Sequence, residues 1–536
     1  MTNNLKISVL SFLLNFGFQI LTAATSVPLP LPNIPTTQFL ITTYGASTSS
    51  LDNASYINAA ITAANSAGGG TVVLPAGTFV SGPITMKSNV NLYLATGDTL
   101  RILPYGNGNG TLANTYPNNG TADQYSPFIY GKNLSNIEVS GSGVIDGQGS
   151  AWWTAFNAST TLQASMKRPC LIRLVACNTV WVTGITLLNS PGVHLTYGQS
   201  STMGSNGTIS NITVKAPSTS PNTDAIDTWY WNGVYIHDCN LSEGDDNVAM
   251  DSYSQNVTIK HCTFGSGHGL SVGSYAVGVN NVFADSCTFN GTTNGIRLKT
   301  NNTRGGQDST FLYSNMTMTN VTNPFYITSW YDKEPYPASA QVAGTITATT
   351  PLWKNITFKN ITVTGSANAG IIYGLPELYV QNLTFDKVSI SAKIGMIANF
   401  VNNMKFINGS SITVTTSGKN ALISDTGANN KPYMATTSGI NITTGAVVAS
   451  GIDEVVDNEQ LVLYPNPSIG DKISLKANDE ISKIVIYSMT GQKVTEATGN
   501  HSNQISVNTS GINSGCYLLK VSFVNGTSGS LKFIRK

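Results

Sequence analysis

Charge is what this sequence has least of. Only 10% of its 536 residues are Asp, Glu, Lys or Arg, and 28 basic residues stand against 27 acidic ones. Neutralising nucleic-acid phosphates takes a basic excess, so nucleic acid is excluded as a partner. The same count excludes an acidic disordered tail and a charge-laced helical bundle. Histidine occurs five times, and no Cys-x-x-Cys or Cys/His spacing of a zinc site is present, so neither metal nor cofactor is expected. After residue 21 no apolar run is long enough to span a bilayer, and no transmembrane segment is expected. What is abundant is glycine, 51 residues of it, with many Ser, Thr and Asn and a hydrophobic share of 41%. That mixture points to strands and turns around a real core, in a protein of the extracellular kind.

The two ends carry their own signals. Lys6 precedes an apolar run, Ile7 to Leu21, and the small residues Thr22, Ala23 and Ala24 follow. A basic start, an apolar stretch and a small-residue exit predict a signal peptide over 1–24, with a Pro-rich linker over 25–37. Composition changes again near residue 450. After a linker over 448–460, alternating apolar residues and Gly/Asn turns predict a small antiparallel β-sandwich over 461–536. This segment resembles the C-terminal sorting domain of the bacterial type IX secretion system. The resemblance is carried by Tyr464-Pro465-Asn466-Pro467, the Gly491-Gln492 turn, Gly515-x-Tyr517-x-Leu519-Lys520 and the basic end. It implies secretion machinery as a partner and a location outside the cell or on a bacterium's outer surface.

The long middle, 38–447, contains a repeat. NITVKAP (Asn211 to Pro217), VYIHDC (Val234 to Cys239), VTIKHC (Val257 to Cys262) and NVFADSC (Asn281 to Cys287) align, with Pro217, Cys239, Cys262 and Cys287 spaced 22, 23 and 25 residues apart. Periods in the low twenties with alternating strands predict an all-β chain coiled as a right-handed parallel β-helix, each repeat adding one rung. Cys239, Cys262 and Cys287 then stack as an inward ladder, although a secreted protein also permits bridges such as Cys170 with Cys177. The many Asn-x-Ser/Thr triplets read mainly as turn and ladder residues.

Stacking turns sequence offsets into neighbours. Asp224 and Asp246 each follow an anchor by seven residues, and Asp245 and His268 follow theirs by six. Equal offsets on successive coils place side chains about 4.8 Å apart. Arg297 and Lys299 are two apart and face one side of a strand. Three carboxylates, an imidazole and two cations converge in a chain poor in charge. Glycoside hydrolysis needs such acids, one protonated to serve the leaving oxygen and one ionised to activate water. The cations suit a substrate with its own carboxylate.

The ordered motifs Asn222-Thr223-Asp224, Gly244-Asp245-Asp246, Gly267-His268-Gly269 and Arg297-Leu298-Lys299 resemble those of the polygalacturonases of glycoside hydrolase family 28. Leu298 replaces the usual Ile, and GGGTVVLPAGTF, GVIDGQGSAWW and NSPGVHL extend the similarity over about 38–445. The resemblance implies the pectin-lyase-like solenoid and a pectic polysaccharide, homogalacturonan, as substrate. It makes Asp245 the general acid, Asp224 and Asp246 the residues that hold and deprotonate water, and His268 the support of the proton on Asp245. Arg297 and Lys299 would bind the galacturonate carboxylate, Tyr331 would pack on the sugar, and Asn222 would orient the site. His194 is a candidate for the cleft lining or for a structural role. Trp152 and Trp153 are candidates for sugar stacking or for core packing. Inversion is implied, with acid and base about 6.5–9.5 Å apart. Endo action is favoured over exo, and a monomer is expected. The alternatives are a rhamnogalacturonan-type hydrolase, a calcium-dependent lyase on the same fold and a non-catalytic surface adhesin.

Overall fold

Strands of two to seven residues, too short to be stable alone, recur among the described residues from Gln38 to Lys299 and pair in parallel with their counterparts one coil later; the longer strands Gln307–Thr319, Leu352–Asn368 and Val380–Ile394 continue the stack. The computed structural model describes residues 28–106, 112–331, 342–416, 421–423, 461–488, 492–525 and 528–536, so the apolar leader, the 448–460 linker and Gly491 lie outside the described residues. The chain divides into two compact units, Met1–Gly445 and Ala446–Lys536. In the first, parallel strands build one sheet of 22 strands and a second of 12. This is the expected parallel β-helix.

The register stacks like on like. Ile172, Leu195, Ile226, Val248, Leu270, Ile296 and Phe325 pair in succession, and none of them is exposed. Each contributes about 1.5–3 kcal/mol by leaving water. Aromatic rings continue the stacking, with Phe358 4.9 Å from Phe385 and Phe385 4.6 Å from Phe406 between centroids.

Two expectations from the repeat are adjusted. Thr213, Asn240, Thr263 and Thr288 are in register, so the cysteine ladder continues to Ile212, and Pro217 is not its member. Asp224 still falls opposite Asp246, because the segment around Pro217–Pro221 adds five residues to that coil. All six cysteines are free thiols. Cys170 Sγ lies 3.0 Å from the carbonyl oxygen of Ile172, and Cys177 Sγ 3.3 Å from that of Val175, in place of a bridge between them.

Asparagine makes the corners. Asn206, Asn211, Asn256, Asn281, Asn355, Asn360, Asn382 and Asn403 have φ between +52° and +58°, a region Asn tolerates better than most residues because its short amide bonds locally. Their amides also bond from coil to coil: Asn382 Nδ2 donates to Asn355 Oδ1 at 2.8 Å, and Asn403 Nδ2 donates to Asn382 Oδ1 at 2.8 Å. A helix the repeat pattern did not announce, Ala54–Ser66, buries Ile57, Ala60, Ile61 and Ala64. Their helical spacing directs one apolar stripe toward the first coils.

The second unit is antiparallel, as expected. Among the described residues five strands form one sheet, in which the long strand Lys472–Ser488 pairs with three others. Its own core gathers Ile473, Leu475, Ile484, Leu519, Val521 and Phe533. Among the described residues no helix is long and apolar enough to cross a membrane.

The corner ladder can be tested at Asn382. Asn382→Ala should cost about 1–3 kcal/mol in denaturant unfolding, from left-handed strain and two lost amide bonds. Asn382→Gly, free of the strain, should cost clearly less; equal losses would contradict this account of the corner.

Candidate active site

The strands Ile226–Thr228, Val248–Met250 and Leu270–Val272 lie side by side. Asp224, Asp246 and His268 each stand two residues before one of them, on three successive rungs about 4.8 Å apart. His268 therefore occupies the rung place of Asp246 and not that of Asp245, since its coil is one residue shorter. Its contact with Asp245 survives, with Nδ1 3.0 Å from Asp245 Oδ1. On the next strand, Arg297 pairs with Ser271 and Leu298 with Val272. Leu298 is buried in the core, so the alternation turns Arg297 and Lys299 to the opposite face, beside the acids.

Asp246 is the centre of the cluster. Its side chain is 2% exposed, and its Oδ2 accepts from Lys299 Nζ at 2.7 Å. Its Oδ1 accepts from Arg297 Nη1 at 3.1 Å and from Ser271 Oγ at 2.6 Å. Burial alone would raise its pKa, but Lys299 and Arg297 outweigh burial and hold the carboxyl below the ordinary range. Asp224 has no such counterweight. Burial, then the charges of Asp245, Asp227 and Asp246, push its pKa well up against the opposing pull of Lys299. The neighbouring acids thus differ by environment, one held as an anion and the other pushed toward its protonated form.

Asp245 is more open. Its Oδ2 accepts from Asn222 Nδ2 at 3.4 Å, and Asn222 takes φ +50° in its turn. His268 Nδ1 also lies 3.2 Å from Arg297 Nη1. Tyr331 closes the cationic side, its ring centre 5.5 Å from the Arg297 guanidinium and 5.2 Å from Lys299 Nζ.

Ligand atoms of Asp245, Asp246 and His268 lie within 4.8 Å of one another, the spacing of a metal triad. The set does not suit a divalent cation, because Lys299 and Arg297 already occupy both oxygens of Asp246 and a dication would share that space with two positive charges.

The cleft role for His194 is corrected. His194 is completely buried, with Nδ1 3.1 Å from the carbonyl oxygens of Thr223 and Asp224 and Nε2 accepting from the Ser190 N–H at 3.3 Å. Burial lowers its pKa to about 4, so it is a neutral imidazole that pins the backbone carrying Asp224. Trp152 is buried, and Trp153 Nε1 donates to the Ser190 carbonyl at 3.1 Å. Trp152 therefore packs in the core, while Trp153 is half-buried on the same helix, Gly149–Asn157.

Sequence reasoning missed Arg168. Its Nη1 donates to the carbonyls of Pro191 at 2.7 Å and Pro221 at 2.6 Å, and its Nη2 to Asn222 Oδ1 at 2.8 Å. The guanidinium lies 3.9 Å from the Phe156 ring centre. Burial lowers its pKa to about 10, while Asp224 and Asp245 oppose that shift. The scarcity of charge was the available signal, since an Arg before Pro169 and an apolar run needs an explanation. Asn247 was missed as well. Its Nδ2 donates to Glu243 Oε1 at 2.7 Å and to the Ser266 carbonyl at 2.9 Å, and its Oδ1 accepts from the Gly269 N–H at 2.8 Å. It ties the Asp245–Asp246 turn to the turn that carries His268.

Comparison with known proteins matches residues 70–411 to the glycosyl hydrolases family 28 and residues 462–536 to a secretion system C-terminal sorting domain. The chain is 33% identical over 321 residues to an endo-polygalacturonase of Pectobacterium carotovorum subsp. carotovorum, covering 56% of this chain and 75% of that protein. It is 33% identical over 303 residues to a polygalacturonase of Juniperus ashei, covering 55% and 57%. Among solved structures, the polygalacturonase from Erwinia carotovora ssp. carotovora superposes with a TM-score of 0.57 at 29% identity, over 70% of this chain and 99% of that one. A hyperthermoactive exopolygalacturonase from Thermotoga maritima shares the fold, with a TM-score of 0.60 at 23% identity over 73% and 95%. The sorting domain indicates export to the cell surface or the extracellular space.

The role of Arg168 has a direct check. Arg168→Ala leaves two carbonyls and the Asn222 amide without their donor, and should lower unfolding stability by roughly 2–3 kcal/mol. Arg168→Lys, a point charge without the fork, should restore only part of it. Full restoration by Lys would show that charge alone matters.

Proposed function

Because the chain belongs to family 28 of the glycosyl hydrolases, we propose that it cleaves α-1,4-galacturonosyl linkages of homogalacturonan with inversion, inside the polymer and outside the cell. The observation that carries the reading is a charge imbalance. One buried anion, Asp246, is bonded by two cations, Lys299 and Arg297. The surplus positive charge lies beside the acids and gives a uronate carboxylate its counter-ion. The relatives named endo-polygalacturonase and polygalacturonase support the same substrate class.

The chemistry is assigned residue by residue. Asp245, the more open acid, protonates the glycosidic oxygen as the bond to the anomeric carbon breaks. His268 lies against it and supplies the hydrogen bond that keeps a proton available. Asp224 takes a proton from water attacking the opposite face, and Asp246, held ionised, orients that water. Asn222 bonds the carboxyl of Asp245, and Arg168 in turn holds Asn222. Arg297, Lys299 and Tyr331 receive the sugar and its carboxylate. His194 is left out of the cleft for the reason given above.

Two outcomes test these roles. Asp245→Asn should lower reducing-end release from polygalacturonate roughly 10²- to 10⁴-fold and leave substrate binding in place. Undiminished release would remove Asp245 as the acid, and an unsaturated product absorbing in the ultraviolet would mean a lyase. Asp224 must be ionised to act as base, and its raised pKa places the acidic limb of kcat/KM above the usual carboxylate value of about 4. Activity should therefore fall as pH drops through that limb, and a limb at or below about 4 would contradict the role of Asp224.

A further inference from the structure

A cavity of about 630 Å³, within the size range of sites for small ligands, opens away from the catalytic sheet. Asp146 ends the strand Val144–Asp146, Asn189 follows Thr186–Leu188, and Pro217 stands two residues beyond Thr213–Lys215; all three line the cavity. Those strands stack in register in the 22-stranded sheet, whereas Asp224, Asp246 and His268 stand before strands of the 12-stranded one. The turn 216–225 thus begins at this cavity with Pro217 and ends at the cluster with Asp224. Two rings line the space, Trp153 and Tyr105, and both are fixed. Trp153 Nε1 donates to the Ser190 carbonyl at 3.1 Å, and its indole lies so close on Gly149 that a Cβ there would collide with it. Tyr105 packs on Trp152, 4.9 Å between ring centres, and its hydroxyl donates to Asp123 Oδ1 at 3.4 Å. Polar groups line the same space. Among the described residues the amide of Asn189 and the hydroxyl of Ser150 make no hydrogen bond, and Gln148, whose Nε2 donates to the Ile102 carbonyl at 2.6 Å, keeps Oε1 as an acceptor. Among the described residues Asp146 is the one charged group of the lining, and Arg101 Nε bonds its Oδ2 at 3.0 Å.

We propose that this cavity is a separate, non-catalytic site for an uncharged hexopyranose, with Trp153 as its stacking face and Asn189, Ser150 and Gln148 as partners of the sugar hydroxyls. The inference goes beyond the hydrolase reading and does not depend on it. A fixed indole covers the apolar C–H face of a pyranose, and amide and hydroxyl groups together supply donors and acceptors for its hydroxyls. Because Trp153 and Tyr105 are already held in place, binding carries little cost of ordering them. Charge decides the class of sugar. A hexuronate would bring its carboxylate to a lining that holds one carboxylate and no cation, and would be left without a counter-ion. The catalytic cluster offers the reverse, two cations on one anion. An uncharged hexopyranose has two sources, a branch of the pectic chain or a separate neutral polysaccharide, and both present the same C–H face and hydroxyls. Occupied by either, the site anchors the protein to polymer while leaving the cleft free.

The test is calorimetry of the full chain with two uncharged probes, β-1,4-galactotetraose and cellotetraose, and with trigalacturonate as the charged one. The wild type should bind at least one uncharged probe equally well with saturating trigalacturonate present or absent. Trp153→Ala should weaken that binding roughly tenfold or more, and Asn189→Gly should weaken it to a smaller extent. Asn189 has φ +47°, which glycine adopts without strain, and its amide makes no bond within the fold, so Asn189→Gly decides the matter if Trp153→Ala does not fold. Reducing-end release from polygalacturonate should be unchanged in Asn189→Gly. Binding of galactotetraose places the sugar on a branch of the pectic chain, and binding of cellotetraose places it on a separate polysaccharide. Binding of neither, displacement of the bound probe by trigalacturonate, or affinity that Asn189→Gly and folded Trp153→Ala leave unchanged overturns the site.

Discussion

Everything in the first unit depends on the spacing between hydrogen-bonded strands, about 4.8 Å. Once parallel rungs stack at that distance, residues some two dozen positions apart become side-chain neighbours. The core uses the constraint by repetition, with Ile172, Leu195, Ile226 and Val248 superposed. The corners use it by amide-to-amide bonding among asparagines. The site uses it by placing Asp224, Asp246 and His268 on three consecutive rungs, with no long loop needed to bring them together. A rigid scaffold of this kind fixes charged groups that would otherwise separate.

Holding three carboxyls together has an electrostatic cost, and the protein divides it unequally. Asp246 is buried deepest yet remains an anion, because Lys299, Arg297 and Ser271 occupy its oxygens. Asp224 lacks those partners and is pushed the other way by burial and by its acidic neighbours. The division sets apart a permanent anion from groups that exchange a proton, as acid and base catalysis requires. His194 and Asn247 are wholly buried beneath the acids, and Arg168 is bonded to two carbonyls and to Asn222. Each fixes a backbone segment or side chain of the cluster, and each would have been read as an isolated polar residue without the coil-to-coil contacts.

Much of this was legible in the sequence because the repeat is short and the charge is sparse. The parallel coil, the antiparallel second unit, the cysteine ladder and the meeting of Asp224, Asp245, Asp246, His268, Arg297 and Lys299 all followed from offsets and alternation. The anchor at Pro217 was out of register, and the pairing of Asp224 with Asp246 held because the extra residues of that turn compensated. The helix Ala54–Ser66 was passed over although Ile57, Ala60, Ile61 and Ala64 have helical spacing, since a strand repeat dominated the reading. For His194 the sequence left cleft lining and a structural role both open, and only its complete burial decides for the second. Arg168 acts across two neighbouring coils, and two of its three partners are backbone carbonyls, which no residue pattern records.

The central claim is that these rungs form an inverting hydrolytic site for α-linked galacturonate. It is tested most directly by proton NMR of the first product formed from polygalacturonate, before the anomers equilibrate. The account predicts the β-anomer at the new reducing end, appearing ahead of the α-anomer. An α-anomer formed first, or an unsaturated uronide in its place, would contradict it.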